Sequence, residues 1–122
     1  MSAALWAVLV SMLFAVESSN NLAPRDGDNG RAVGPLQIQP AVVADVNRIA
    51  GTHYTLEDRR DFGKSQEIAK IYLSYWAERY AWTTGREPTL EVYCRIWNGG
   101  PYGWNKKSTL AYWRKCQHAK HR

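Results

Sequence analysis

The chain of 122 residues is poor in the groups that staple or metallate small proteins. Its two cysteines, Cys94 and Cys116, are too few for a disulfide scaffold and have no metal or redox spacing. Two buried thiols are expected, with one disulfide as the alternative. The three histidines, His53, His118 and His121, come with no acidic cluster at ligand spacing. No metal site and no cofactor are therefore expected. No apolar run spans a bilayer comfortably, so stable membrane insertion is not expected. No internal repeat or linker divides the chain, and no nucleic-acid-binding motif occurs.

What is present is aromatic and basic. There are six Trp and seven Tyr, enough for a core and for flat amphipathic platforms that suit sugars or bases. A formal net charge of +5 and a pI near 9.4 favour a polyanionic partner, whether cell wall, nucleic acid or an anionic membrane surface, or serve solubility alone. The length fits one domain, residues 1–122, with a core that needs no metal or disulfide.

The apolar N-terminal run, residues 3–16, ends at Glu17-Ser18. No Lys or Arg precedes it and no small-x-small site follows, so there is no clear signal peptide. It is read as a buried first helix. Leu5, Val8, Leu9, Met12 and Val16 form one stripe, and Trp6, Val10 and Phe14 another. A helix apolar on both sides is expected to be wrapped all round. A carboxylate closing such a helix is costly as an anion, both by desolvation and by the helix C-terminal dipole. Those surroundings favour a proton donor, which makes Glu17 the candidate general acid.

Residues 18–34 read as loop, with Asp26-Gly27 and Asp28-Asn29-Gly30 able to seat a small hairpin. Residues 34–40 read as a short extended piece bounded by Pro35 and Pro40. A helix over 41–50 stops at Gly51, and Thr55 to Asp58 resembles a capping box. A long helix over 65–82 starts at a Ser65 cap and is broken by Gly85 and Pro88. Thr89 caps a further helix, residues 98–103 force a loop, and a last helix runs over 108–118 with a basic end, residues 115–122. The expected architecture is mainly α: a helical globule with a small β or irregular element after the first helix. The pairs Arg59-Arg60 and Lys106-Lys107 read as solvated faces, or as attraction to anionic polymers.

Three segments in order carry a resemblance: Glu17-Ser18, then Gly34-Pro35-Leu36-Gln37-Ile38, then Trp97-Asn98-Gly99-Gly100-Pro101. Over roughly residues 5–104 this order resembles the lysozyme superfamily, and within it the lytic transglycosylase and goose-type lysozyme branch. The resemblance implies a lysozyme-like α+β fold. It also implies peptidoglycan strands as substrate, cut between N-acetylmuramic acid and N-acetylglucosamine, with Glu17 as acid and then base. Site residues carried over are Ser18, Gln37, Trp97 and Asn98. Gln37 has a loop-tying role as its alternative, Trp97 a core role, and Asn98 a helix-capping role. Tyr102 and Trp104 are read from their glycine-rich loop as sugar-stacking candidates.

Hen-type lysozymes share the Glu-Ser and Gly-x-Leu-Gln-Ile pieces but place an aspartate two residues before that glycine. Here Ala32 stands there, which favours the one-glutamate transglycosylase route. Asp26 and Asp28 keep a true hydrolase open, since either could position a water. Pro35 and Trp97 depart from the branch and leave a non-catalytic glycan-binding module as a further alternative. A basic nucleic-acid binder ranks last. The enzyme reading places a monomer at the bacterial cell wall.

Overall fold

The computed structural model describes residues 1–120. The chain is mainly α-helical, with helices α1 (Ala3–Ser18), α2 (Pro40–Ala50), α3 (Phe62–Thr84), α4 (Leu90–Gly99) and α5 (Leu110–Lys120). Short 3-10 turns lie at Asp28–Gly30, Leu56–Arg60, Gly103–Asn105 and Lys107–Thr109. Among the described residues no helix is long and apolar enough to cross a membrane. Two compact units divide the chain, residues 14–72 and residues 1–13 with 73–122.

Helix α1 begins where Ser2 Oγ accepts the Leu5 backbone N–H at 3.1 Å. It buries Leu9, Met12 and Leu13. It is not wrapped all round, as its composition suggested. Ala4, Ala7 and Ser11 are exposed, and Val8 is 39% exposed. Small apolar side chains at 4, 7 and 8 raise hydrophobicity without requiring burial, so composition overstated the buried arc.

In the unit 14–72, the expected hairpin forms between Gly27 and Ala32 around the turn at Asp28–Gly30. The segment expected to be extended is instead a second tight turn. Val33 pairs with Ile38, and Gly34 to Gln37 make the bend, with Gly34 at φ +84° and Gln37 at φ +53°. Prolines at 35 and 40 gave an extended signal that the pairing across the turn overrode. Helix α2 starts with Pro40 in its first turn and stops at Gly51, which is left-handed at φ +64°. The Thr55–Asp58 capping box is present in both directions.

The cap of α3 differs from expectation. Asp61 Oδ1 accepts the Lys64 N–H at 2.8 Å, while Ser65 is buried inside the helix and donates to the Arg59 carbonyl at 2.6 Å. The core of this unit comprises Val33, Leu36, Ile38, Val43, Val46, Ile68, Ala69 and Tyr72.

In the other unit, Thr89 caps α4 as expected, and α4 packs against α5 and both 3-10 turns that precede it. Cys94 and Cys116 are buried free thiols. Residues His121 and Arg122, the end of the basic tail, lie outside the described residues.

Candidate functional site

Glu17 sits half-buried in the last turn of α1. The helix ends there because Ser19 and Asn20 both take the left-handed conformation, at φ 52° and 62°. Asn20 N–H reaches the Phe14 carbonyl at 3.3 Å, and Ser18 Oγ donates to the same carbonyl at 3.1 Å. Ser18 therefore closes the helix end. Phe14, one turn before Glu17 on the same side of the helix, stacks on Phe62 with ring centroids 4.5 Å apart. An aromatic pair thus flanks the turn that carries the carboxyl.

Asp28 and Gln37 lie on the hairpin segment that follows. Asp28 is exposed; Gln39 Nε2 donates to it at 2.8 Å and the Arg31 guanidinium at 3.3 Å from two nitrogens. The Gln39 hydrogen bond, then Arg31, hold its pKa below the ordinary carboxylate value. Asp26 is gripped by Arg60 through two bonds of 3.0 and 3.2 Å, which likewise lower its pKa. Gln37 ties the loop: Nε2 donates to the Gly34 carbonyl at 3.0 Å and the Arg25 carbonyl at 3.3 Å, while its Oε1 lies over Gly27.

Trp97, Asn98 and Tyr102 belong to the other unit. Asn98 is an exposed residue of the last turn of α4, not its cap; the cap position is Gly100, at φ +88°. Trp97 is half-buried, and Tyr102 is 66% exposed. Trp104, expected as a stacking platform, packs edge-on against Tyr80 at 5.0 Å. Glycine-rich sequence did expose Tyr102, but Trp104 falls in the 3-10 turn against which α4 packs.

Two arginines, neither singled out as a site residue from sequence, fasten these loops, one in each unit. Arg59 was read as a solvated cation and is instead buried, 7% exposed. Its Nε donates to the Leu56 carbonyl at 2.8 Å, and Nη1 to the Arg31 and Ile38 carbonyls at 2.8 and 2.9 Å. Burial, and next the neighbouring Arg60, lower its pKa from a value so high that it stays cationic. Nothing in the local sequence separates it from the exposed Arg60. Arg95 bonds Thr109 Oγ1 at 2.8 Å, Glu91 at 2.7 Å and the Lys106 carbonyl at 3.0 Å. The Glu91–Arg95 spacing of four was a legible signal for part of that set.

Among the described residues, no group of three His, Cys, Asp or Glu side chains could hold a metal ion. No protein-family model matches this chain, and no curated protein sequence matches it.

Proposed function

We propose that the chain cleaves the β-1,4 bond between N-acetylmuramic acid and N-acetylglucosamine in peptidoglycan, as a lytic transglycosylase. The observation that carries the reading is Glu17, a half-buried carboxyl ending an apolar helix, in a unit whose loop aspartates are both engaged by arginine. The Glu17 carboxyl gives its proton to the glycosidic oxygen as the C1–O bond breaks. The acetamido oxygen of the muramoyl sugar closes on C1. The Glu17 carboxylate then takes the proton of that sugar's 6-hydroxyl, whose oxygen displaces the acetamido group. An anhydro ring results and Glu17 regains its proton, so no second protein carboxylate is consumed.

The alternative hydrolase would use Asp26 or Asp28 to position water. Their pairing with Arg60 and with Arg31 and Gln39 gives both carboxylates another role, and favours the one-glutamate route. In the unit that carries Glu17 a substrate strand would meet Gln37, as the resemblance implies. In the other unit the resemblance carries Trp97 and Asn98, and the exposed Tyr102 is a stacking candidate from its loop. The reading places the protein at the bacterial cell wall as a monomer.

The test is turbidity loss of purified walls by the parent and by Glu17→Gln. The substitution is expected to slow clearing about a thousandfold, the scale of a lost general acid–base group. Equal clearing removes Glu17 from the chemistry. Mass spectrometry of the products separates anhydro ends, lighter by one water, from the reducing ends of a hydrolase. Binding with no Glu17-dependent product makes the chain a glycan-binding module.

A further inference from the structure

One exposed face of α3 carries aromatic and cationic groups that the cleavage reading leaves unused. Tyr75, Arg79 and Trp82 fall at positions i, i+4 and i+7, so they lie along one side of the helix. The Arg79 guanidinium carbon lies 5.2 Å from the Tyr75 ring centre and 5.1 Å from the Trp82 ring centre. Its Nη2 also donates to Tyr75 Oη at 2.9 Å. Tyr75 also meets Trp76 edge-on, with centroids 4.9 Å apart. Aromatic and cation–π contacts thus hold a ladder in register, with Trp82 as its outermost rung.

Trp82 is 70% exposed, the most exposed large hydrophobic side chain of the described chain. Arg79 accounts for one side of its indole, and the rest is open to solvent. An indole this exposed gains little from packing, and a polar residue at 82 would avoid it.

We propose that this ladder is a second glycan-binding platform. The Trp82 indole would stack on the apolar C–H face of a sugar ring, and Arg79 would pair with a carboxylate on the stem peptides of the same strand. The occupant follows from the chemistry of the two groups together. A flat indole matches a pyranose ring, and a guanidinium fixed beside it by two aromatic rings matches a carboxylate in its planar, two-bonded mode. A strand of alternating sugars bearing acidic peptides presents both features side by side. This inference rests on the peptidoglycan reading above for its substrate class. It adds a site that keeps the protein on an insoluble polymer between cleavage events.

The test measures co-sedimentation with purified walls in the Glu17→Gln background, which keeps cleavage out of the binding signal. Trp82→Ala is expected to weaken binding about tenfold, as loss of one aromatic anchor does. The variant should fold, because the side chain is exposed and alanine favours a helix. Arg79→Ala and amidation of the wall carboxylates should each weaken binding severalfold. Combined, they should weaken it no further than either alone, because they delete the same pair.

Unchanged binding by Trp82→Ala overturns the platform. So does an additive effect of Arg79→Ala and amidation, or Trp82-dependent displacement of the walls by single-stranded DNA. A parent chain that self-associates through Trp82 in sedimentation velocity overturns it as well. Wall clearing by the parent with Glu17 intact is measured in parallel. A parent that binds through Trp82 without clearing refutes the cleavage reading alone; a parent that clears without using Trp82 refutes the platform alone.

Discussion

The two loops that bear the candidate site residues are built on one plan with different materials. In the unit 14–72, the turn at 34–37 backs onto Arg59. A Cβ on Gly34 would lie 1.7 Å from the Arg59 carbonyl oxygen. In the other unit, the turn at Gly103–Asn105 backs onto Arg95, and a Cβ on Gly103 would lie 2.0 Å from the Arg95 carbonyl oxygen. In each case a glycine lies on the backbone of an arginine, and that arginine's side chain fastens the loop. The difference is in how the charge is met. Arg59 is buried with carbonyls alone as hydrogen-bond partners among the bonds described above, whereas Arg95 has Glu91 and a side chain 13% exposed. The first loop is therefore fastened by a guanidinium met by carbonyls, the second by one that also pairs with a partly exposed carboxylate.

The largest expected effect tests the shared part of the plan. Gly34→Ala adds a methyl against backbone atoms at 1.7 and 2.7 Å and also strains a residue at φ +84°. It is expected to cost about 4 kcal/mol or to prevent folding, since backbone cannot swing aside as a side chain can. Gly103→Ala meets a carbonyl at 2.0 Å without the positive φ and should cost about 3 kcal/mol. Gly30→Ala is the control, with φ +88° and nothing within 4 Å of the new methyl; strain alone should cost about 1 kcal/mol. Urea unfolding of the three variants gives the ranking. A Gly34→Ala cost no greater than that of Gly30→Ala would show that the turn does not rest on Arg59.

The next effect tests the difference. Arg59→Met strips the half-buried Arg31 carbonyl and the buried Ile38 carbonyl of a donor and should cost about 3 kcal/mol. Arg95→Met leaves Glu91, which is 40% exposed, free to turn to water, and should cost about 1–2 kcal/mol. Equal losses in denaturant unfolding would mean that burial of the guanidinium does not set how firmly each loop is held. The same pair should differ in activity if the cleavage reading holds. Arg59→Met would loosen the loop next to Glu17 in sequence, and Arg95→Met the loop carrying Tyr102.

Those contrasts explain which parts of the molecule were legible in sequence. The stop of α2, the start of α4 and the start of the 3-10 turn at Leu56–Arg60 were readable because Gly51, Thr89 and the Thr55–Asp58 box act within a turn of themselves. The hairpin at 27–32 was readable because its turn residues tolerate left-handed backbone; Asp28, Asn29 and Gly30 all adopt it. Glu17 was legible as a helix end because the apolar run stops there. The α3 cap was misplaced because Asp61 and Ser65 are both good caps four residues apart, and only the Ser65 bond to the Arg59 carbonyl decides between them. Arg59 itself was illegible. Adjacent to Arg60 and identical in type, it differs only by reaching two carbonyls 28 and 21 residues away. The loop-tying bonds of Gln37 depend on its own left-handed backbone, which no local propensity foretells for glutamine.

The smallest expected effect concerns the surface ties of the first loop, where water can compete fully. Asp26 with Arg60, and Asp28 with Gln39 and Arg31, are exposed pairs, and their partners depress both carboxyl pKa values. A carboxyl depressed in the folded state binds its proton more readily when unfolded, so its contribution to stability is present above the ordinary value, about pH 4, and is lost as pH falls through the folded value. Thermal unfolding of the parent, Asp26→Asn and Asp28→Asn should therefore differ modestly near neutral pH and converge in acid. Added salt should shrink the neutral-pH difference, as it does for exposed ion pairs. The Arg59→Met loss should instead persist at high salt, because its partners are uncharged carbonyls. Were the aspartate variants to lose as much stability as Arg59→Met at neutral pH, the order would invert, and the loop would be held from its surface instead of from its buried guanidinium.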